Sequence, residues 1–593
     1  MSKKLVNSLE FARKFTQVED ARVVADPGEI TWNEESDFVV VGYGGAGVAA
    51  ANQAADGGLE VIALDRCDGG GATKMNGGIM YFGGGTWVQK ESGYDDTPEE
   101  MFIYLKRELR DAVTDETLRA FCESGPETIK WLEKHGVEFK ASAYPTKTSY
   151  PSEGYYLYHP DNSLLKRFRT NRRPSPRGHK AVSEAKDAIG SGIGIFRPQE
   201  ESAARAGVRV YGQCQVRQMI VDTKGAVVGL KARRVPVGTA AHAALVKAQQ
   251  SMNKWLFVYP NSYPGGKIPY GIAKYYERKA SRIEAEHGED FFVRARKGVC
   301  LSSGGFIFNT EMLRHYAPTC ADVATLGTPA DDGSGILLGH SAGGVMTEMD
   351  EVSIWRHMSP PKSWPKNMIV NARGNRFVDE ASYGADIGRE MMKPESGGRA
   401  WLILDANMWK QANLDLKDKK LVTFQKLPPK ASMLFGSKKA PTLEALCKKV
   451  GINHAGLLTT LETYRRAAAG EIADPFEKDS GDMVVPKDGP FYAVDVGVNT
   501  PLNPAYAITV GGLLVDEKSG LVMREDGTTI PGLYSAGRTA VGLCTRLYLS
   551  GLSASDCIFS GRRAGRHAAD ATIDHSPIHQ GVSAVWPQEE LVG

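Results

Sequence analysis

No stretch of this 593-residue chain holds an uninterrupted apolar run near the roughly 20 residues that a spanning helix requires, so no helical membrane span is expected. Residues 1–24 carry Lys3, Lys4, Glu10, Arg13 and Lys14 and lack the apolar centre of a secretory leader. The eight cysteines are scattered, with no Cys-x-x-Cys and no Cys-x-x-Cys-His. That argues against a zinc ribbon, an attached haem c, any other metal site or a disulfide framework. Free thiols in a reducing cytoplasm are expected. An excess of charge is also missing. Lys and Arg number 72 against 70 Asp and Glu, a net +2 that gives no global reason for a nucleic-acid partner. No internal repeat or low-complexity tract is present.

What the chain has in quantity is glycine, 65 residues, and a length too great for a single core. Residues 37–41 form a short apolar run, followed by Gly42-Tyr43-Gly44-Gly45-Ala46-Gly47. An alanine-rich helical stretch covers 48–56, and a strand-like run at 59–64 ends in Asp65. This β-α-β unit is where a dinucleotide fingerprint belongs. Gly42 permits the tight turn, Gly44 and Gly45 admit a pyrophosphate, and Gly47 lets helix and strand pack closely. Asp65, with Arg66 beside it, is placed to accept ribose hydroxyls. A second glycine-rich loop, Gly69 to Gly78, follows at once and includes Gly71, Thr73, Gly77 and Gly78. Such a loop lets backbone lie against a flavin. Ala536-Gly537-Arg538 offers a further approach near the ribityl chain, so FAD rather than NAD is the expected cofactor.

The expected fold is α/β: a Rossmann-like FAD-binding domain formed by both chain ends, 1–308 and 488–593, with an inserted α+β cap at 309–487. Two segments depart from this plan. Residues 165–180 form a basic loop with Lys166, Arg167, Arg169, Arg172, Arg173, Arg177 and Lys180. It reads as a solvated surface, or as recognition of an anionic side chain or CoA ester. Residues 235–296 separate two strands that would otherwise be neighbours. They hold Trp255, Phe257, Tyr259, Tyr263, Tyr270, Tyr275 and Tyr276 among lysines. That mixture suits a membrane interface, with Trp255 to Tyr259 as the inserting stretch. A subunit interface or a covering for the FAD domain is the alternative.

Several motifs occur in one order: the Gly42–Gly47 fingerprint with Asp65, the Gly70–Gly78 loop, Ser302-Ser303-Gly304-Gly305-Phe306, Gly374-Asn375-Arg376-Phe377-Val378-Asp379-Glu380, Ile508-Thr509-Val510-Gly511-Gly512, Gly551-Leu552-Ser553-Ala554-Ser555-Asp556 and Gly561-Arg562-Arg563-Ala564-Gly565. In this the chain resembles the superfamily of soluble fumarate reductases, urocanate reductases and 3-ketosteroid dehydrogenases. The resemblance implies FAD held by both chain ends, Gly305 and Ser553 included, and a mobile cap carrying part of the active site. The arginine that protonates fumarate falls at Tyr383, a carboxylate-clamping arginine at Tyr548, and a carboxylate-binding histidine at Ile508. A dicarboxylate would lose charge-assisted hydrogen bonds of roughly 1.5–3 kcal/mol each. Two phenols in an apolar pocket suit a neutral ketone, the pattern of 3-ketosteroid dehydrogenases. Tyr548-Leu549-Ser550-Gly551-Leu552-Ser553 and the spacing of Tyr383 from Glu380 resemble the enzymes that introduce the 4,5 double bond.

The resemblance assigns Tyr548 to polarise the C3 carbonyl, and Tyr383 with Ser550 to remove the α-proton or relay it. Hydride would pass to flavin N5, and an external acceptor would reoxidise the flavin. The two tyrosine roles are interchangeable at this stage. The family also uses a backbone N–H as second carbonyl donor, whose position the sequence leaves open. Arg546 is a conceivable cation near the phenols, and Arg376 with Glu380 reads as an ion pair at the domain junction. The tyrosines 144, 150, 155, 156 and 158 read either as pocket lining or as a packed aromatic loop. Other readings stay open: 1,2-desaturation, a smaller cyclic ketone, enone reduction, or a non-catalytic flavin-binding membrane scaffold. The setting is the cytoplasm, with peripheral contact to the inner face of the cell membrane.

Overall fold

The computed structural model describes residues 12–13, 15–169, 173–185, 188–258 and 267–571. The strand Glu34–Val41 ends in four consecutive buried residues, Phe38 to Val41, because it sits inside a parallel sheet covered on both faces. It pairs in parallel with Val61–Leu64 on one side and with Glu289–Leu301 on the other. The strand Thr529–Ser535 joins the same nine-stranded sheet, Val299 lying opposite Leu533. One sheet therefore takes strands from both ends of the chain.

The helix Gly45–Asp56 packs on the helix Leu552–Asp570, and small residues decide how closely. A Cβ on Gly561 would stand 2.4 Å from the Ala46 carbonyl oxygen, and one on Gly565 2.6 Å from that of Ala50. The two backbones touch where larger side chains would part them. Gly537 completes the junction, its absent Cβ lying 2.9 Å from that of Ala46.

The cap is built on a four-stranded antiparallel sheet of Met368–Val370, Trp401–Leu404, Phe491–Asp495 and Ser437–Ala440. Phe491–Asp495 lies beyond the expected cap boundary at 487, and its pairing with Trp401–Leu404 carries the cap past Asp495. Its core gathers Met368, Trp401, Ile403, Leu446, Leu457 and Tyr464. Inside it, Arg376 grips Glu380 through Nε and Nη2 at 2.8 and 2.9 Å, and Lys478 Nζ reaches the same carboxylate at 2.8 Å. This cluster lies within the cap, not at the domain junction expected from sequence, because Glu380 also accepts from the Ile369 amide of the cap sheet.

Two neighbouring antiparallel strands, Val227–Arg234 and Glu289–Leu301, are interrupted by residues 235–288; the expected segment ran to 296, but 289–296 already belong to the second strand. The insertion is a hairpin of two helices, Ala240–Val258 and Lys267–His287. Tyr259 and Tyr263 lie outside the described residues, and the side chain of Phe257 is likewise not described. No helix among the described residues is long and apolar enough to cross a membrane.

Candidate active site

The fingerprint forms as its glycines require. Gly42 has φ +89°, and a Cβ there would stand 2.6 Å from Ser303 Cα. A Cβ on Gly47 would stand 2.1 Å from the Gly42 carbonyl oxygen. Neither position admits another residue. Thr73 Oγ1 accepts from the Gly45 amide at 3.1 Å, which seats the second glycine loop at the helix N-terminus, with Gly71 against Gly44 of the fingerprint. Asp65 accepts the Tyr43 and Cys67 amides at 2.8 Å and the Gly69 amide at 3.3 Å. Those three bonds leave about one of its four acceptor directions for a ribose hydroxyl.

Arg538 is the second anchor. Its Nη2 holds Asp331 at 2.6 Å, while its Nη1 is buried with no partner among the described residues. Gly305 leaves the space beside Nη1, since a Cβ there would approach it to 3.0 Å. A buried, unspent guanidinium N–H beside bare backbone, facing a helix N-terminus, fits an anionic dinucleotide such as FAD. Gly77 and Gly78 lie under Tyr150 and Ser191, and Ser553 is in the first turn of Leu552–Asp570. Arg66 turns elsewhere, pairing with Asp332 at 3.0 Å and Glu284 of the inserted hairpin at 3.8 Å.

The residues expected to do chemistry converge. Gly551, at φ +85°, caps the helix Leu552–Asp570 and turns Tyr548 and Ser550 towards the cap. Tyr383 caps the cap helix Gly384–Met392. The Ser550 hydroxyl lies close enough to the Tyr383 phenol to favour its ionised form. Tyr158, on the strand Leu157–Tyr158, brings its hydroxyl within 3.0 Å of the same Ser550 Oγ. The walls are apolar: Trp355, Ile508, Val510, Leu547 and Leu549. Tyr548 packs on Trp355 with ring centroids 4.6 Å apart. The ring of His357, an exposed residue, lies 6.2 Å from that of Tyr383.

Burial pushes the phenols of Tyr383, Tyr158 and Tyr548 above their ordinary range. Opposing it, the Ser550 hydroxyl acts on Tyr383, and the Gly551 amide and the Arg538 charge act on Tyr548. Arg538 is thus the cation felt by a phenol. Arg546, the other candidate, is held by Glu348 at 2.8 Å and Glu351 at 3.5 Å.

Behind Tyr383 lies a buried polar network that the sequence reading missed. Asn162 Oδ1 accepts from the Tyr383 amide at 2.6 Å, and its Nδ2 donates to Asp386 Oδ2 at 2.5 Å. Tyr104 Oη receives the Asn162 amide and donates to Glu108 Oε1, both at 2.9 Å. Burial, then the nearby Asp386, push the Glu108 carboxyl up to about 7. A carboxyl that binds its proton more tightly when folded stabilises the fold at low pH. That stability is lost as pH rises from the ordinary carboxyl range through about 7. Glu108→Gln keeps the acceptor and removes the charge. It is expected to raise unfolding free energy on the order of 1–2 kcal/mol at about pH 8, and to give little gain near pH 4. Urea denaturation at the two pH values measures this; equal effects at both would refute it.

Other expectations are resolved by packing. The basic loop is not a free cationic surface: Arg177 is buried on Asp96 at 2.8 Å, Arg169 holds Asp479, and Arg167 holds Ser382 Oγ at 3.0 Å. Arg172 lies outside the described residues. Of the aromatic cluster, Tyr144, Tyr150 and Tyr158 form a buried group with Ile79, and Tyr158 meets the Ser550 hydroxyl. The crowding of tyrosines was the available signal; which one reaches Ser550 depends on a strand pairing that sequence does not display.

Comparison with known proteins places these features. The model of the FAD binding domain family matches residues 37–551. The chain is 33% identical over 519 residues to 3-oxo-5-alpha-steroid 4-dehydrogenase of Comamonas testosteroni, covering 87% of this chain and 94% of that protein. It is 26% identical to 3-oxosteroid 1-dehydrogenase of Mycolicibacterium smegmatis, covering 86% of this chain and 92% of that one. The crystal structure of 3-ketosteroid-delta4-(5alpha)-dehydrogenase from Rhodococcus jostii RHA1 in complex with 4-androstene-3,17-dione superposes with a TM-score of 0.76 at 30% identity. The match covers 93% of this chain and all of that one.

Proposed function

Since the chain belongs to the FAD binding domain family, we propose that it is an FAD-dependent 3-ketosteroid dehydrogenase that introduces the 4,5 double bond. The observation that carries this reading is the meeting of Tyr383, Ser550 and Tyr548 beside an apolar wall, with Arg538, the cation that acts on Tyr548, held by Asp331 and its remaining N–H beside Gly305 in the dinucleotide cradle. A neutral ketone fits such a wall, and a dicarboxylate finds no partner there.

Oxidation at C4 and C5 removes one proton and one hydride. Bound FAD would accept the hydride that leaves C5. Tyr548 donates a hydrogen bond to the C3 oxygen, and the Gly551 amide, which already favours charge on the Tyr548 oxygen, is the natural second donor. Tyr383 takes the proton from C4, and the Ser550 hydroxyl links that phenol to Tyr158. Proton loss leaves an enolate at C3–C4, and its electron pair forms the new double bond as hydride departs from C5. The apolar wall excludes water that would otherwise solvate the enolate.

Greater identity to the 4-dehydrogenase than to the 1-dehydrogenase, over similar lengths, favours the 4,5 position over the 1,2 position. An external acceptor regenerates the cofactor. Contact of the hairpin 235–288 with the inner face of the membrane belongs to the same reading. Ile268 and Tyr275, two turns apart and 70% and 58% exposed, support it.

The test is direct. The purified protein is expected to be yellow and to release FAD on denaturation. Mixed anaerobically with a saturated 5α-3-ketosteroid, it should bleach, and the product should carry a 4,5 double bond. A colourless protein that FAD does not reconstitute removes the cofactor assignment. Persistent colour with every saturated 3-ketosteroid, or a 1,2-unsaturated product, removes the reaction assignment.

A further inference from the structure

The cap helix Thr423–Phe435 presents two unlike faces. Gln425, Pro429, Ser432 and Met433 are buried against the cap. Leu427 and Leu434, seven residues apart and therefore on one side of the helix, are each 60% exposed. Phe435 follows at 74%, the most exposed large apolar side chain among the described residues. Around them the charge is one-sided. Residues 417–439 contain seven lysines (417, 419, 420, 426, 430, 438 and 439) and one carboxylate, Asp418. Seven minus one is +6, in a chain whose net charge is +2. Among the described residues none of the seven lysines is in an ion pair, and two of them, Lys420 and Lys439, lie over the rings of Tyr155 and Tyr492. Outward leucine and phenylalanine ringed by unpaired lysine suit the boundary between anionic headgroups and acyl chains. A second copy does not suit it, because two-fold pairing would set two fields of +6 against each other.

The helix that carries this face packs close to the candidate site. Phe424, on the first turn of the same helix, lies edge-on to Tyr150 at 5.9 Å, and Gln425 donates to the Tyr150 carbonyl at 3.1 Å. Tyr150 belongs to the buried group with Ile79, Tyr144 and Tyr158, and Tyr158 reaches Ser550. The helix thus packs, through Tyr150, on the same buried group whose Tyr158 meets Ser550.

We infer that the face of Thr423–Phe435 docks on an anionic lipid bilayer, which would set the cap, and the tyrosine group behind it, against the acyl layer that holds a hydrophobic substrate. The docking stands on charge and exposure alone; its purpose rests on the reading of the substrate given above. It is independent of the hairpin 235–288, whose Gln249 and Glu284 reach back to Arg66 at the dinucleotide site.

Flotation of the flavin-loaded full chain separates the possibilities. With vesicles of phosphatidylcholine and phosphatidylglycerol at low salt, the wild type should float; with phosphatidylcholine alone it should float far less, and high salt should weaken binding. Leu434→Ser with Phe435→Ser should cut the bound fraction about tenfold. Lys426→Glu with Lys430→Glu should do the same through charge. Ile268→Ser with Tyr275→Ser in the hairpin should leave most of the binding. All these variants should turn over detergent-dispersed ketone normally, while the cap variants should lose turnover on ketone dissolved in vesicles. The inference is overturned if wild type never floats with the anionic vesicles, as it would if the face served an acidic protein. It is equally overturned if the cap variants float like wild type, or if only the hairpin variant fails. Should flotation follow the expected pattern while no 3-ketosteroid is oxidised, the docking stands and the proposed reaction falls.

Discussion

Tyr548→Phe lowers turnover at least about 100-fold and leaves the flavin spectrum unchanged; this is the expected result if its hydroxyl carries the developing enolate charge. Three features set the size. The phenol packs against apolar residues, where a hydrogen bond to developing charge is worth more than it is in water. Burial makes the phenol a weaker acid than usual, so it stays protonated as a donor, while the Gly551 amide and the Arg538 charge partly oppose that shift and favour negative charge gathering at its oxygen. Phe keeps the packing on Trp355, so loss of activity would not reflect a collapsed wall. Stopped-flow bleaching under anaerobic conditions isolates the reductive half-reaction. Near wild-type bleaching in Tyr548→Phe would remove the residue from the mechanism.

Tyr383→Phe carries an effect of similar size with a different signature. An ordinary phenol, with a pKa of about 10, is only about 0.1% ionised at pH 7. Burial raises Tyr383 further, so its proton-accepting form is scarcer still and becomes commoner as pH increases. Turnover is therefore expected to climb with pH towards roughly 9, by up to about tenfold per pH unit. In Tyr383→Phe the rate should fall about 100-fold and the climb should disappear. Ser550→Ala should be milder, because Ser550 relays rather than accepts. A flat wild-type profile between about pH 6 and 9 would eliminate a phenol as the base.

The difference between what sequence reveals and what it hides is visible in these residues. The cofactor cradle was legible because its constraints are local. Gly42 and Gly47 announce a turn that only glycine makes, and the strand before them and the helix after them follow from periodicity. The contribution of both chain ends was legible through the strand and glycine turn at 532–537. Tyr383 and Tyr548 were legible only as departures from a related pattern. Asn162 was not legible at all. It lies in an ordinary polar stretch, and its importance comes from lying beneath the Tyr383 amide, a contact between segments far apart in sequence. The Arg376–Glu380 pair was seen, but not its setting, since i and i+4 spacing specifies a contact and not the surface against which it is buried. The cap helix was hidden for the opposite reason. Its exposed Leu434 and Phe435 read like core residues until the buried face is known to be the other one.

The shared sheet has a consequence for how the protein comes into being. Thr529–Ser535 closes the sheet beside Glu289–Leu301, and Leu552–Asp570 covers the fingerprint helix. During synthesis the cap sheet, completed by Phe491–Asp495, is able to assemble before either has left the ribosome. Until they emerge, the fingerprint helix lacks its partner, and Arg538, which lies between them, has not been made. Flavin loading is therefore an event of the finished polypeptide. A chain truncated before residue 529 would leave a folded cap attached to a nucleotide half-site with an open strand edge, a species for chaperones and proteases rather than a slow enzyme.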